Sequence, residues 1–538
     1  MNISTILDMA AEAFPDRVAL VSGEQSLTYS LLRGKARNAA HAIRNSGARY
    51  VAMLDVNSPA IPAAIFGAAY AGVPYVPLNY RLTQTEIDEL IERVTPAFLV
   101  TSAEFRNRLT ARNSVDVMDR AAFFDLPPAN ADLPDAEIDP RTVAVQLFTS
   151  GTTGKPKAAI LRHENLMSYI VGTVEFGAAD ENDAIVVTVP PYHIAGISAV
   201  LSSTYACRRM VQLESFEAAT WLAACRKHHV SNAFLVPTML QRVVDHLAAS
   251  KAAPPLREDT GSPSASGAAA TPPPAPTSLR EDAVSGAYLP ALKAIAYGGG
   301  KMPLSTIQKA MQLFPQVDFT NAYGLTETSS TIAVLGPEDH RAAAASADPR
   351  VQRRLGSVGK PAAVEIEIRD ESGKLLGQEE AGLVFVRGPQ VSGEYVPQGG
   401  QQGSQLDANG WFPTRDRGYL DAEGYLFLDG RADDVIVRGG ENISPGEIED
   451  VLLSHPAVSD AAVVAMPDEQ WGEAVAAAVV LKANARASVV ELQELVKQHL
   501  RSSRVPQAIV FRDALPYNET GKVLRRIIRQ EFAEAKPT

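Results

Sequence analysis

The segment from Leu147 to Ala158 places a short apolar run directly ahead of a loop of hydroxyls, glycines and lysines, and that order constrains the fold more than any other stretch. An apolar run that stops at glycine-rich turn chemistry reads as a strand carrying a loop at its C-terminal end. Gly151 and Gly154 let the backbone turn tightly and aim successive N–H groups at an anion. Thr149, Ser150, Thr152 and Thr153 add hydroxyl donors, and Lys155 and Lys157 add positive charge. The loop suits a polyphosphate, yet its spacing is not that of the Gly-x4-Gly-Lys-Ser/Thr loop. Taken singly, a Gly/Ser/Thr loop is more often a plain turn, so its weight comes from the motifs further along.

The first hundred residues alternate strand-like and helix-like segments: Val18 to Val21, Ser30 to Arg44, Val51 to Val56, Pro59 to Tyr70, and Phe98 to Thr101. The rhythm predicts βαβ units and a largely parallel sheet. It resumes with strands expected at Ala184 to Val189 and Ala233 to Val236. The predicted class is α/β, a large N-terminal domain of stacked α/β subdomains over residues 1–430 followed by a small α+β domain over 431–538. Between Lys251 and Gly286 lies a Pro/Ala/Ser/Gly-rich stretch with little to bury, expected to be a disordered insertion. Leu-Arg-Glu-Asp occurs twice within it, at Leu256 and Leu279, and receives no function. In the C-terminal part, Ser444, Pro445 and Glu447 predict a helix opened by a capping box and running to His455.

Composition narrows the partners. The 538 residues carry a formal charge of -12, which leaves no basic footprint for nucleic acid or anionic lipid. No apolar run approaches the roughly 18 residues of a membrane span, and Asp8 stands where a signal peptide would carry basic charge, so the cytoplasm is the expected location. The two cysteines, Cys207 and Cys225, lack metal-ligand spacing and are expected to be reduced and structural. His228 and His229 are expected at the surface.

Four segments fall in a recognisable order: Thr149 to Lys157; Tyr323 to Glu327; Gly410 to Asp421 with Gly430 to Asp434; and Pro516 to Lys522. Together they resemble the adenylate-forming superfamily of acyl-CoA synthetases, peptide-synthetase adenylation domains and luciferases. The resemblance spans nearly the whole chain, and the run from Arg431 to Glu449 looks most like the acyl-CoA and aryl-CoA ligase branch. It implies a two-step reaction in which a carboxylate attacks the α-phosphate of ATP and the acyl-adenylate then passes its acyl group to the thiol of CoA. Bringing two anions together calls for positive charge and Mg2+.

The resemblance also implies roles. Thr149, Ser150, Gly151, Thr152, Thr153, Gly154, Lys155 and Lys157 would grip the outer phosphates, Thr326 would touch the α-phosphate and Glu327 would hold Mg2+. Asp416 would accept the ribose hydroxyls, with Arg431 beside it among the ATP-binding residues. Gly298, Gly299, Gly300, Asn321, Ala322, Tyr323 and Gly324 would form the adenine slot, with Tyr323 stacked on the base. Lys522 would bridge carboxylate and α-phosphate, Asp433 would be the hinge of a rotating C-terminal domain, and Arg438, Gly439 and Gly440 would receive CoA. From the residues alone, Asp416 reads as a turn acid, and Lys522 as a cation at the start of a helix from Val523 to Phe532, a placement the helix dipole disfavours.

His193 matches a position near the acyl pocket, and the stretch from Pro190 to Gly196 has no aspartate to hold a substrate ammonium. The expected substrate is therefore a simple carboxylic acid. Two alternatives stay open: an acyl-AMP ligase that loads an acyl-carrier protein, and a nucleotide-binding homologue without catalysis.

Overall fold

The computed structural model describes residues 1–110, 114–128, 138–149, 156–252, 289–396, 403–518 and 521–534. Most of the Pro/Ala-rich stretch therefore lies outside the described residues. The helix Pro237–Ala252 enters its first two positions.

Among the described residues, two large sheets form the body. In the first, six parallel strands, Val18–Ser22, Arg209–Gln212, Ala184–Val187, Asn232–Leu235, Ala294–Gly298 and Asp318–Leu325, lie side by side. The antiparallel strands Gln25–Thr28 and Ser330–Leu335 flank them. In the second, Tyr50–Leu54, Tyr75–Pro77, Ala97–Thr101, Val115–Asp119 and Val143–Thr149 are parallel, and Lys157–Arg162 and Glu394–Val396 extend the sheet antiparallel. Parallel strands need crossover helices, and these cover the sheet faces and supply the core. The helix Ala60–Ala71 is apolar all round and buried along nearly its whole length. It packs with Tyr29–Ser46 in the core that also takes residues from both sheets.

A four-stranded antiparallel sheet, Glu365–Arg369, Gly382–Arg387, Phe412–Leu420 and Leu426–Arg431, follows. The turn Ala432–Asp434 leads out of it into a smaller sheet with its own core around Ile436, Val463, Ala477 and Val479. There the hairpin Val458–Asp468 with Gly472–Leu481 is antiparallel, and Ala508–Arg512 returns parallel to its second strand through the helix Val489–His499. The result is the α/β class with a smaller α+β part.

Local expectations are corrected in three places. Ser444 occupies the helix N-cap and Pro445 the first turn, but no capping box forms: Ser444 Oγ donates to the Asp429 carbonyl, and Glu447 accepts from Arg504 Nε at 2.9 Å. Tertiary partners take both side chains away from the local motif. The last helix is Arg525–Glu534, because Val523 pairs with Tyr517 in an isolated bridge. Asp416 lies on the strand Phe412–Leu420 and is buried, so it is no solvated turn acid. Both cysteines are free and buried, which raises their thiol pKa values, Cys207 to about 11. His229 is exposed, whereas His228 is half-buried, and burial lowers its pKa.

His163 gives the fold an acid limit. It is buried and accepts from Ile3 N–H through Nδ1 at 3.3 Å, and burial together with the chain's N-terminal charge holds its pKa at about 4. A depressed imidazole pKa contributes stability that is complete above the ordinary value near 6.5 and is lost as pH falls towards 4, on the order of 3 kcal/mol at the acid end. Urea unfolding midpoints are expected to fall over that window, and His163→Gln to flatten the slope.

Candidate active site

The site gathers at the C-terminal ends of the parallel strands, where open α/β sheets place ligands. Gly298 ends one strand directly opposite Ala322 on the next. A Cβ at Gly298 would stand 2.1 Å from the Ala322 carbonyl oxygen, so only glycine permits that approach. The predicted adenine-slot residues Gly298 to Gly300 and Asn321 to Gly324 are thus brought together on adjacent strands and the loop beyond. Asn321 Nδ2 donates to the Ser357 carbonyl at 3.1 Å, which fixes its amide.

Tyr323 donates its hydroxyl to Asp416 Oδ2 at 2.5 Å, and Arg431 donates to Asp416 Oδ1 at 3.0 Å and to the Thr414 carbonyl at 3.1 Å. Burial, with the Asp416 charge adding to it, raises the Tyr323 phenol pKa well above its ordinary value. Asp416, Tyr323 and Arg431 therefore form one hydrogen-bonded group.

Thr326, Glu327 and Thr328 make a short 3-10 turn after the strand Asp318–Leu325. Glu327 Oε1 accepts from the Tyr395 hydroxyl, and the Tyr395 phenol pKa is raised by burial and then by this carboxylate. Oε2 of Glu327 has no hydrogen-bond partner among the described residues. A single oriented carboxylate with one free oxygen fits the way Mg2+ binds, through one or two carboxylates plus phosphate oxygens and water. Lys157 stands over the Tyr395 ring, its Nζ 5.9 Å from the centroid. Thr149 Oγ1 donates to the Lys157 carbonyl at 3.5 Å across the strand pair that brackets the loop. Ser150, Gly151, Thr152, Thr153, Gly154 and Lys155 lie outside the described residues.

Lys522 comes from the C-terminal part. Its turn is closed by Lys522 N–H donating to Asn518 Oδ1 and Asn518 N–H donating to the Lys522 carbonyl, both at 2.8 Å. Gly521 rests against Thr238 and near Gly300, and Lys301 Nζ reaches Asp450 Oδ2 at 2.8 Å. Solvent still reaches Lys522, but protein crowds it enough to lower its ammonium pKa; Arg431 adds to the drop, while Asp416 and Glu327 oppose it. His193 is held neutral, at about 4, by burial first and then by the Lys522 and Arg81 charges. Its ring lies 4.7 Å, centroid to centroid, from Tyr192. Lys522, Asp416, Arg431, Glu327 and His193, distant in sequence, thus share one electrostatic neighbourhood.

Asp433 is exposed in the turn Ala432–Asp434 that links the two parts. Arg438, Gly439 and Gly440 lie further off: Arg438 donates to the Ser503 carbonyl at 2.9 Å and its guanidinium stands over Trp471 at 5.8 Å. A Cβ on Gly439 would meet Trp471 at 2.6 Å, so packing within the small domain already demands that glycine.

Two contributors have no sequence signal. Tyr395 lies in an ordinary strand far along the chain from Glu327. Arg93 donates to the Pro156 carbonyl at 2.6 Å and the Val396 carbonyl at 2.9 Å, tying the end of the glycine loop to the Tyr395 strand. Removing the Tyr395 hydroxyl frees the Glu327 carboxylate to rotate. Tyr395→Phe is expected to raise the Mg2+ concentration needed for half-maximal adenylation about tenfold, the scale of losing a group that orients a metal ligand, which a magnesium titration checks.

The family model described as AMP-binding enzyme matches residues 7–396, and that of the AMP-binding enzyme C-terminal domain matches residues 447–522. The chain belongs to the AMP-binding enzyme family. It is 31% identical to 2-succinylbenzoate–CoA ligase of Bacillus licheniformis, over 96% of this chain and 98% of that protein. It is 28% identical to indoleacetate–CoA ligase of Aromatoleum aromaticum, over 99% and 98%. Among solved structures it resembles o-succinylbenzoate CoA synthetase of Bacillus subtilis in complex with its acyl-adenylate intermediate, with a TM-score of 0.76, 27% identity and 97% of each chain covered. Among the described residues no helix is long and apolar enough to cross a membrane.

Proposed function

We propose that the chain is an ATP-dependent carboxylate–CoA ligase acting on an aromatic or arylalkyl carboxylic acid. The observation that supports this most is the seating of Lys522 from the C-terminal part among Asp416, Glu327, Arg431 and His193. In the first step a carboxylate oxygen attacks the α-phosphorus of ATP, the bond to the bridging oxygen breaks, and pyrophosphate leaves. Lys522 offers a cation to the charge that builds between carboxylate and α-phosphate. Asp416, fixed by Tyr323 and Arg431, takes the ribose, and the slot between Gly298 and Tyr323 takes the base. Glu327 would hold Mg2+, which neutralises phosphate charge when bound. Lys157, with the loop before it, holds the outer phosphates.

In the second step a thiol sulfur attacks the acyl carbon, the bond to AMP oxygen breaks, and the thiol proton is lost to water. This step calls for the C-terminal part to turn about Asp433, withdrawing Lys522 and bringing Arg438 to Gly440 towards the site. The neutral His193 ring suits a flat acyl group, in keeping with the aromatic acids in the names of the relatives. Pyrophosphate release with ATP, Mg2+ and a panel of aryl, short-chain and long-chain acids tests the reading. Release with aryl acids supports it; release with aliphatic acids alone overturns the aromatic assignment. Persistence of acyl-AMP in the presence of CoA, relieved by a carrier protein, would replace the acceptor.

A further inference from the structure

Arg415 stands in a backbone conformation that its side chain does not favour. Its φ is +62°, in the left-handed region where a Cβ crowds the backbone and glycine is the usual occupant. The cause is local. On the strand Phe412–Leu420, Pro413 pairs with Phe385 and Arg417 with Leu383, so Thr414, Arg415 and Asp416 stand opposite Val384 alone. Thr414 Oγ1 anchors the bulge by donating to the Val384 carbonyl at 2.8 Å. Bulges of this kind re-aim side chains beside functional sites. Here Thr414 and Asp416 turn inward and are buried, while Arg415 is left exposed.

Glycine would make the same bulge without the steric conflict, so an arginine here points to use of its side chain. Among the described residues Arg415 makes no hydrogen bond and no ion pair, in contrast to Arg431 on the neighbouring strand, which is bound to Asp416. The Arg415 charge is felt at the Tyr395 hydroxyl, where it opposes the rise in pKa caused by burial and by Glu327. Arg415 therefore belongs to the corner built by Glu327, Tyr395 and Lys157, the last of these standing over the Tyr395 ring.

We propose that Arg415 binds the β- and γ-phosphates of ATP and the pyrophosphate formed from them, beside the Glu327 carboxylate and Lys157. The inference rests on the reading of this cleft as the ATP site. A guanidinium presents a fork of donors that matches phosphate oxygens, and its charge does not titrate away at working pH. Its contribution is confined to the outer phosphates, since the α-phosphate and nucleoside are served by Lys522 and by Asp416 with its partners.

Arg415→Gly separates this role from a structural one, because it removes the cation and relieves the backbone at the same time. Calorimetric binding of MgATP, pyrophosphate and AMP would be compared between the parent protein and the variant, alongside thermal unfolding. The expected result is MgATP and pyrophosphate binding weakened about tenfold or more, the scale of a lost charge-assisted contact, with AMP binding within about twofold and an unfolding midpoint unchanged or raised. Arg415→Lys should restore part of the pyrophosphate affinity. Unchanged MgATP binding in Arg415→Gly, with the parent binding normally, overturns the assignment; so does equal loss of AMP. A parent protein that binds neither MgATP nor AMP overturns the reading of the cleft itself.

Discussion

Replacing Lys522 with alanine is expected to slow adenylation by about 10²-fold or more, the cost of losing one donor aimed at charge that develops in the transition state. Its backbone turn depends on the Asn518 side chain and on Gly521, so the substitution leaves the loop intact and removes the cation alone. The loss should fall on kcat for pyrophosphate release while AMP binding changes little. The depressed pKa of the ammonium adds a second signature: adenylation should decline with rising pH at a point below the ordinary lysine range, as the cation is lost. Stopped-flow pyrophosphate release across pH checks both. Adenylation within about twofold of the parent would remove Lys522 from the reaction.

Replacing Asp433 with proline is expected to divide the two half-reactions. The turn Ala432–Asp434 is the short connection between the last strand of the four-stranded sheet and the small domain, and proline would fix φ in the middle of it. With the domain held where Lys522 meets the cleft, adenylate formation should stay within about threefold, while transfer to CoA should fall about tenfold or more, as for a blocked domain movement. Single-turnover assays with and without CoA measure each step. Equal loss in both would mean that proline damages the fold around Arg431 and that Asp433 is no hinge.

How much of this was legible beforehand depended on whether a residue's task is local. The βαβ rhythm followed from apolar periodicity, and segments such as Ser30 to Arg44 and Phe98 to Thr101 became a helix and a strand with ends shifted by a residue or two. Gly298 could be marked by resemblance as part of the adenine slot, but the close approach of Ala322 that demands glycine there lies on another strand and has no local signal. Asp416 and Glu327 could be marked by resemblance, but what holds them could not. Tyr323 lies 93 positions from Asp416, and Tyr395 lies 68 from Glu327. The capping box at Ser444 failed for the same reason, since Asp429 and Arg504 compete for its two side chains. Arg415 lies within the segment from Gly410 to Asp421, and only its backbone conformation singles it out.

The central claim is that the carboxylate itself attacks the α-phosphorus. Incubating the protein with ATP, Mg2+, CoA and an accepted acid labelled with oxygen-18 in both carboxylate positions tests it directly. The attacking oxygen becomes the bridge of the acyl-adenylate and departs with AMP when the thiol takes the acyl group. Mass spectrometry should therefore find one labelled oxygen in AMP for each acyl-CoA formed. Unlabelled AMP, or label in phosphate alongside ADP, would contradict the account.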